Sequence, residues 1–186
     1  EVSALQRRLG MEPQFLGGRR VTSPEDLEIV RMVLSGATNK RLVAGLISGG
    51  VQAIGISGED GGLIQARVTD AGLGRVGGEI TANPRLITHL WSGGFVPVIS
   101  PLGRDAGDPS GGGLNVNGDD AAAAIATALG ADELLLIADV PGVLDDAGTT
   151  IPQLDGVAAQ ALITSGVVGG GIAAALRLCE DFADGE

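Results

Sequence analysis

Three short apolar runs, each the length of a strand, constrain the fold of this chain more than any other feature. They are residues 51–56, 95–100 and 133–138, and helical segments separate them. Runs of this kind are typical of strands buried on both faces of a parallel sheet, whose strands are joined by helices. We therefore predict an α/β fold, a three-layer α/β/α sandwich with a mainly parallel sheet.

The helices between these runs are marked by their ends. Ser23 followed by Pro24 and two acidic residues is typical of a helix N-terminus, and Gly10 ends an earlier amphipathic segment. Glycine-punctuated hairpins are predicted over residues 58–80, and a loop is predicted over 103–113. The predicted helices are residues 2–9, 23–34, 39–46, 84–91, 119–129 and 156–165.

Composition limits the classes of function. The chain has 186 residues, which suits one domain over residues 1–186, and a formal net charge of -11, which disfavours binding to nucleic acid or to an anionic membrane. No apolar run approaches the roughly 20 residues that cross a bilayer. A single cysteine excludes an intrachain disulfide. We therefore expect a cytoplasmic protein that binds a small molecule.

Arg19 and Arg20 are the first candidate binding residues. They follow two glycines and precede the β-branched Val21 and Thr22, so one guanidinium is predicted beside a cleft on a short strand. The planar fork of arginine donors suits a carboxylate. The alternative is a pair of solvated surface arginines.

The segment Asn115-Val116-Asn117-Gly118-Asp119 is the second candidate. One of the two asparagines could reach a ligand while the other secures the loop. Asp119 is predicted to cap the alanine-rich helix that follows. The alternative is an ordinary turn and helix cap with no ligand.

Two further segments are candidates for holding phosphate. Asp139-Val140-Pro141-Gly142 follows the apolar run 133–138, and ligands of open α/β sheets lie beyond the carboxyl ends of the strands. Gly169-Gly170-Gly171 precedes a last helix, where backbone N–H groups can approach phosphate. One histidine and one cysteine cannot build a catalytic triad or a structural zinc site, and no metal site is predicted.

These motifs resemble, in order and spacing, the acetylglutamate kinases of the amino-acid kinase family. The resemblance is carried by residues 8–15 leading to Gly-Gly-Arg-Arg-Val-Thr at 17–22, by Leu-Asn-Val-Asn-Gly-Asp at 114–119, and by Asp-Val-Pro-Gly-Val-Leu at 139–144. It implies transfer of the γ-phosphate of ATP, carried with Mg²⁺, to the side-chain carboxylate of N-acetyl-L-glutamate in arginine biosynthesis. It also implies a homo-oligomer.

The resemblance also implies roles for single residues. Arg20 and Asn115 would bind the amino-acid substrate, and Asp119 would organise the catalytic centre. The residues that would contact the nucleotide are Asp139, Val140, Gly142, Val143, Leu144, Gly170 and Gly171.

Two departures from the family pattern affect catalysis. The family's first strands, with a lysine and a glycine-rich phosphate loop, would precede Glu1, and the position of a second lysine is occupied by Ala175. Phosphoryl transfer depends on positive charge at the transferring group, so this chain by itself is expected to be a poor catalyst. Two alternatives therefore stand beside the kinase: a non-catalytic amino-acid-binding or regulatory relative, and a kinase for another acyl amino acid of the aminoadipate type.

Overall fold

The computed structural model describes residues 1–108, 112–137, 142–145 and 147–165. Contacts group the chain into two units, Glu1–Ala121 and Ala122–Glu186. The first unit contains two sets of paired strands, a short hairpin and four helices, and it holds the candidate cavity described below.

Six α-helices are described, and each overlaps a predicted one. Helix α2 begins with a capping box in which Ser23 and Asp26 each accept a hydrogen bond from the other's backbone N–H, as the sequence Ser-Pro-Glu-Asp predicts. The helices are α1 (Val2–Arg8), α2 (Pro24–Arg31), α3 (Asn39–Ser48), α4 (Arg85–Ser92), α5 (Gly118–Leu129) and α6 (Gly156–Ser165).

The predicted break between the second and third helices is wrong. Residues Met32–Thr38 form a π-helical segment that joins α2 to α3 without leaving the helical path. Ser35 and Gly36 lower helix propensity, but buried Val30 and Val33 pack in the core of the unit, and this packing outweighs propensity.

Two strands form the parallel pair that the apolar runs predict. Strand β3 (Ala53–Ser57) pairs in parallel with β6 (Val96–Ser100), in the register Ala53↔Val96 through Ser57↔Ser100. Asn39, buried at the start of α3, donates from Nδ2 to the carbonyl oxygens of Ile56 (3.3 Å) and Val98 (2.8 Å). One amide therefore fastens α3 to both strands.

Four further strands close into a small ring. They are β4 (Ile64–Val68), β5 (Val76–Ala82), β7 (Leu102–Asp105) and β8 (Gly113–Val116), in the order β4-β5-β8-β7. The hairpin of β4 and β5 confirms the prediction for residues 58–80, whereas the predicted loop 103–113 overlaps the end of β7 and the start of β8.

Glycines permit the ring to close. A Cβ at Gly77 would lie 2.7 Å from the Cβ of Ala66, and one at Gly103 would lie 3.0 Å from Ile64, so neither interior position has room for a larger residue. Ile64, Leu102 and Leu114 fill the interior and are fully buried. The strands are therefore packed against one another rather than around a ligand.

A short hairpin precedes α2. Strands β1 (Phe15–Leu16) and β2 (Arg19–Arg20) are antiparallel, and Gly17 and Gly18 between them have φ of 56° and 79°. Two successive residues with positive φ are the requirement of a type I′ turn, which glycine meets without strain.

The structure does not confirm the strand predicted over residues 133–138. Residues 133–137 form no strand, residue 138 lies outside the described residues, and Leu135 and Ile137 are 81% and 90% exposed. An apolar run becomes a strand only when a neighbour supplies hydrogen bonds, and no described segment pairs with this one.

Among the residues described, no helix combines the length and apolar character needed to cross a bilayer.

Candidate functional site

Arg20 is held on the short hairpin opposite Phe15. The register of β1 and β2 pairs Phe15 with Arg20, and the guanidinium carbon of Arg20 lies 4.8 Å from the centroid of the Phe15 ring. The face of an aromatic ring attracts a cation electrostatically, so this contact stabilises the charged guanidinium. Burial lowers the pKa of Arg20, with the charge of Asp26 acting in the opposite direction, but an arginine in a protein stays protonated.

The end of the hairpin is fastened to β5 through Thr22. The backbone N–H of Thr22 donates to the carbonyl of Leu73 (2.9 Å), and the N–H of Arg75 donates to the carbonyl of Thr22 (2.7 Å). Thr22 is fully buried and bridges Gly74, which precedes β5. The position of Arg20 beside β5 is therefore set by backbone hydrogen bonds.

Asn115 lies on β8, next to Thr22. Its Nδ2 donates to Oγ1 of Thr22 (3.2 Å), and the Thr22 hydroxyl donates to the carbonyl oxygen of Arg20 (3.2 Å). Strand β8 pairs in parallel with β5, with Asn115 opposite Val76. The structure thus brings together the two residues for which substrate binding is predicted, and a buried threonine connects them.

These elements enclose a cavity of about 210 Å³. This volume is below the roughly 300–1,000 Å³ of sites for drug-sized ligands, so the cavity suits a small metabolite. Two arginines and two asparagines are among the residues that line it, and side chains of these types can bind a carboxylate and an amide. The cavity is lined by Phe15, Gly18, Arg19, Arg20, Val76, Gly77, Asn115, Val116 and Asn117.

The charge of the cavity differs from that of the whole chain. The chain has a formal net charge of -11, whereas the charged residues that line the cavity are Arg19 and Arg20. Arg19 lies 3.9 Å from the carboxylate of Asp120, and half of its side chain is exposed. The side chain of Arg19 is half exposed and this ion pair is long, so the pair is weak and Arg19 adds positive charge beside the cavity.

Asn117 rather than Asp119 caps helix α5, which corrects the sequence prediction. Oδ1 of Asn117 accepts hydrogen bonds from the backbone N–H groups of Asp119 (2.9 Å) and Asp120 (3.1 Å). The helix begins at Gly118, so Asp119 already lies in its first turn, where the positive end of the helix dipole stabilises a carboxylate. Asp119 is exposed and does not line the cavity.

The residues predicted to contact a nucleotide are described only in part. Gly142, Val143 and Leu144 begin a turn in which Ile151 N–H donates to the carbonyl of Val143 (2.8 Å) and Leu144 bridges Thr150. These contacts form a hairpin-like connection after Gly142. Asp139, Val140, Gly170 and Gly171 lie outside the described residues, as do Gly169, Ala175 and Cys179.

Several residues of the cavity were not predicted from the sequence. Phe15, Val76 and Gly77 carry no signal of their own, because they reach the cavity only through strand pairing. The sequence left open which of Asn115 and Asn117 reaches a ligand and which secures the loop. In the structure Asn117 caps α5 and also lines the cavity.

Comparison with known proteins defines the class. The sequence profile of the Amino acid kinase family matches residues 1–185. In three dimensions the chain superimposes with a TM-score of 0.90 on smu.665 from Streptococcus mutans UA159, at 26% identity over 99% of this chain and 74% of that one. This chain belongs to the amino acid kinase family, and its α/β fold class is confirmed.

Within the family, the chain is similar to proteins named acetylglutamate kinase. It is 45% identical to the one from Rubrobacter xylanophilus over 95% of this chain and 68% of that protein. It is 46% identical to the one from Methanopyrus kandleri, over 92% of this chain and 73% of the relative, and 41% identical to the one from Geobacillus kaustophilus, over 92% and 66%. The chain thus spans about two thirds of these relatives.

A more distant structure shares the fold alone. The N-acetylglutamate synthase from Neisseria gonorrhoeae, solved with coenzyme A and N-acetyl-glutamate, has a TM-score of 0.80 and 22% identity, over 99% of this chain and 42% of that one.

Proposed function

We propose that this chain is the amino-acid-binding part of an acetylglutamate kinase. In that reaction an oxygen of the side-chain carboxylate of N-acetyl-L-glutamate attacks the γ-phosphorus of ATP. The bond from the γ-phosphorus to the bridging oxygen breaks, ADP leaves with that electron pair, and an acyl phosphate forms. ATP, carried with Mg²⁺, is the second substrate, and the product belongs to arginine biosynthesis.

One observation carries this proposal: Arg20 and Asn115, distant in sequence, meet in one small cationic cavity through Thr22. N-acetyl-L-glutamate offers one carboxylate that is not phosphorylated, and a guanidinium is the side chain best suited to bind it. It also offers an acetamide group, whose N–H and C=O match the amide of Asn115. The names of the relatives agree with this substrate.

The remaining assignments are extensions of the same proposal. Asp119 would organise the catalytic centre from the first turn of α5. Gly142, Val143 and Leu144, with Asp139, Val140, Gly170 and Gly171, would contact ATP. The single domain over residues 1–186, a cytoplasmic location and self-association stay predictions.

Replacing Asn115 with alanine tests the substrate. The variant removes the amide but leaves the cationic groups, so we expect Kd for N-acetyl-L-glutamate to rise roughly tenfold, the effect of one or two lost hydrogen bonds. Isothermal titration calorimetry on the purified chain measures it. Asn83→Ala is the matched control, because Asn83 is exposed, lies just before α4 and does not line the cavity. An unchanged Kd in a folded Asn115→Ala variant would contradict the assignment.

A turnover assay tests the expectation of poor catalysis. ADP release with ATP, Mg²⁺ and N-acetyl-L-glutamate should be slower by about a hundredfold or more for this chain than for the acetylglutamate kinase from Geobacillus kaustophilus, because a preorganised charged donor contributes about that factor. Equal rates would contradict the expectation that this chain by itself is a poor catalyst.

The same titrations separate the alternatives. The alanine at position 175 favours a non-catalytic binding protein, for which N-acetyl-L-glutamate binds and ATP does not. Tighter binding of N-acetyl-L-2-aminoadipate than of N-acetyl-L-glutamate would instead indicate a kinase for the longer acyl amino acid.

A further inference from the structure

Gln6 is a polar residue at a core position of helix α1. Val2, Leu5 and Leu9 are the apolar residues of this amphipathic segment, and position 6 lies one turn beyond Val2 on the same face. The side chain of Gln6 is almost fully buried, with 1% of the residue exposed. Burying a side-chain amide costs free energy unless both its C=O and its NH₂ group form hydrogen bonds. The role of Gln6 therefore follows from the groups to which it is hydrogen-bonded.

The two ends of the Gln6 amide bind groups of opposite charge. Nε2 donates to Oδ1 of Asp26 (2.6 Å), and Oε1 accepts a hydrogen bond from a terminal nitrogen of Arg20 (2.5 Å). Rotating the amide by 180° would turn its oxygen toward a carboxylate and its NH₂ group toward a guanidinium. The charges of Asp26 and Arg20 therefore fix the orientation of the amide.

Asp26 is itself held in place and ionised. Its Oδ2 accepts the backbone N–H of Ser23 (3.1 Å) in the capping box of α2. Burial acts to raise the pKa of Asp26, but hydrogen bonds from Ser23 and Gln6 outweigh it, so its pKa lies below the usual carboxyl value. Near neutral pH, Gln6 therefore faces a charged acceptor that belongs to a rigid helix end.

The guanidinium of Arg20 is fixed at both terminal nitrogens. The second donates to Oγ of Ser3 (2.8 Å), so α1 supplies one acceptor for each, and Phe15 covers one face. A planar group bound at two points has a defined plane. Of its five N–H donors, two are used by Gln6 and Ser3, which leaves Nε–H and one N–H on each terminal nitrogen for a ligand.

We propose that Gln6 is a positioning residue that holds the guanidinium of Arg20 ready to bind a carboxylate. An unrestrained arginine has to be ordered when its ligand binds, and this ordering weakens affinity. Gln6 transmits the fixed position of Asp26 to Arg20 and thereby orders the guanidinium in advance. The carboxylate ligand rests on the proposed function, whereas the anchoring of Arg20 does not.

The anchoring is measured without a ligand. In ¹⁵N spectra of the free chain, the Arg20 Nε–H signal, assigned with Arg20→Lys, should stand apart from those of exposed arginines. Gln6→Met keeps the length of the side chain and removes both hydrogen bonds, so the signal should move toward the position of exposed arginines. Gln65→Met is the matched control, because Gln65 is exposed on β4. An unchanged Arg20 signal in Gln6→Met would overturn the proposal.

Calorimetry with two ligands separates positioning from general structural damage. N-acetyl-L-glutamate should bind Gln6→Met roughly five- to tenfold more weakly, the cost of ordering one flexible side chain. 4-Acetamidobutyrate has the same chain without the α-carboxylate, and its Kd should be unchanged. Equal weakening of both ligands would overturn positioning. Failure of the unaltered chain to bind N-acetyl-L-glutamate would contradict the proposed function, and the Arg20 signal would still decide the anchoring.

A double variant keeps the test decisive if Gln6→Met does not fold. In Gln6→Glu the new carboxylate faces that of Asp26, whereas Gln6→Glu combined with Asp26→Asn restores a donor opposite an acceptor. The combined variant keeps an acceptor for Arg20 and a donor–acceptor contact between positions 6 and 26, so the Arg20 signal should stand apart from those of exposed arginines, as in the unaltered chain. An Arg20 signal at the position of exposed arginines in a folded double variant would overturn the proposal.

Discussion

Replacing Arg20 with glutamine is expected to weaken binding of N-acetyl-L-glutamate by at least about a hundredfold. The variant removes the guanidinium of Arg20, a residue that lines the cavity, and each hydrogen bond to a charged group contributes about 1.5–3 kcal/mol, so the loss of two accounts for this factor. Calorimetry of the purified chain measures the change. Arg20→Lys should recover only part of the affinity, because an ammonium keeps the charge and loses the planar fork.

Arg85 provides the control for this result. It is an exposed arginine at the start of α4 and does not line the cavity, so Arg85→Gln removes the same charge from the chain without touching the site. Its Kd should equal that of the unaltered chain. If Arg20→Gln and Arg85→Gln bind N-acetyl-L-glutamate equally well, Arg20 is not the residue that binds the carboxylate.

Replacing Gly74 with alanine is expected to lower the free energy of unfolding by about 3 kcal/mol or more. Gly74 has φ of 71° and ψ of -124°, a conformation that side chains disfavour by about 1–3 kcal/mol. A Cβ there would also lie 2.5 Å from the carbonyl oxygen of Thr22, whose backbone cannot move without breaking its hydrogen bonds to Leu73 and Arg75. Urea unfolding followed by circular dichroism measures the loss.

Gly10 separates the two causes. Its φ is 77°, but no atom lies within 4 Å of the point that a Cβ would occupy, so Gly10→Ala tests backbone conformation without the steric contact. We expect Gly10→Ala to lose about 1 kcal/mol. Equal losses in the two variants would show that the contact with Thr22 relaxes freely and that Gly74 does not hold the hairpin against β5.

Local sequence signals account for most of the helices and for the parallel pair. Ser23 and Pro24 mark the start of α2, and the runs at 51–56 and 95–100 give β3 and β6, because caps and apolar periodicity depend on neighbouring residues. The run 133–138 had the same apolar signal and forms no strand over residues 133–137. The residues of an apolar run indicate that it can form a strand, but they do not indicate whether a neighbouring strand is present to pair with it.

The candidate site was predictable only at the residues that carry a chemical signature. Arg20 and Asn115 stood out as a guanidinium and an amide within recognisable motifs, and the structure brings them together. Their connection through Thr22 was not predictable, because it depends on the pairing of β5 with β8. Gln6 did give a signal, a polar residue on the apolar face of α1, but its partners lie in two other elements.

The four-stranded ring has a consequence for how the cavity moves. Each strand of a closed ring is hydrogen-bonded on both sides, so β5 and β8 cannot separate at a free edge as the end strands of an open sheet can. The cavity wall that carries Val76, Gly77 and Asn115 should therefore open only when the ring itself comes apart. Fluctuations that admit a ligand then fall to the turn of the hairpin at Gly17 and Gly18, because Thr22 fastens the end of the hairpin to the segment before β5. Ligand entry therefore depends on the hairpin, whereas the wall on β5 and β8 opens only with global unfolding.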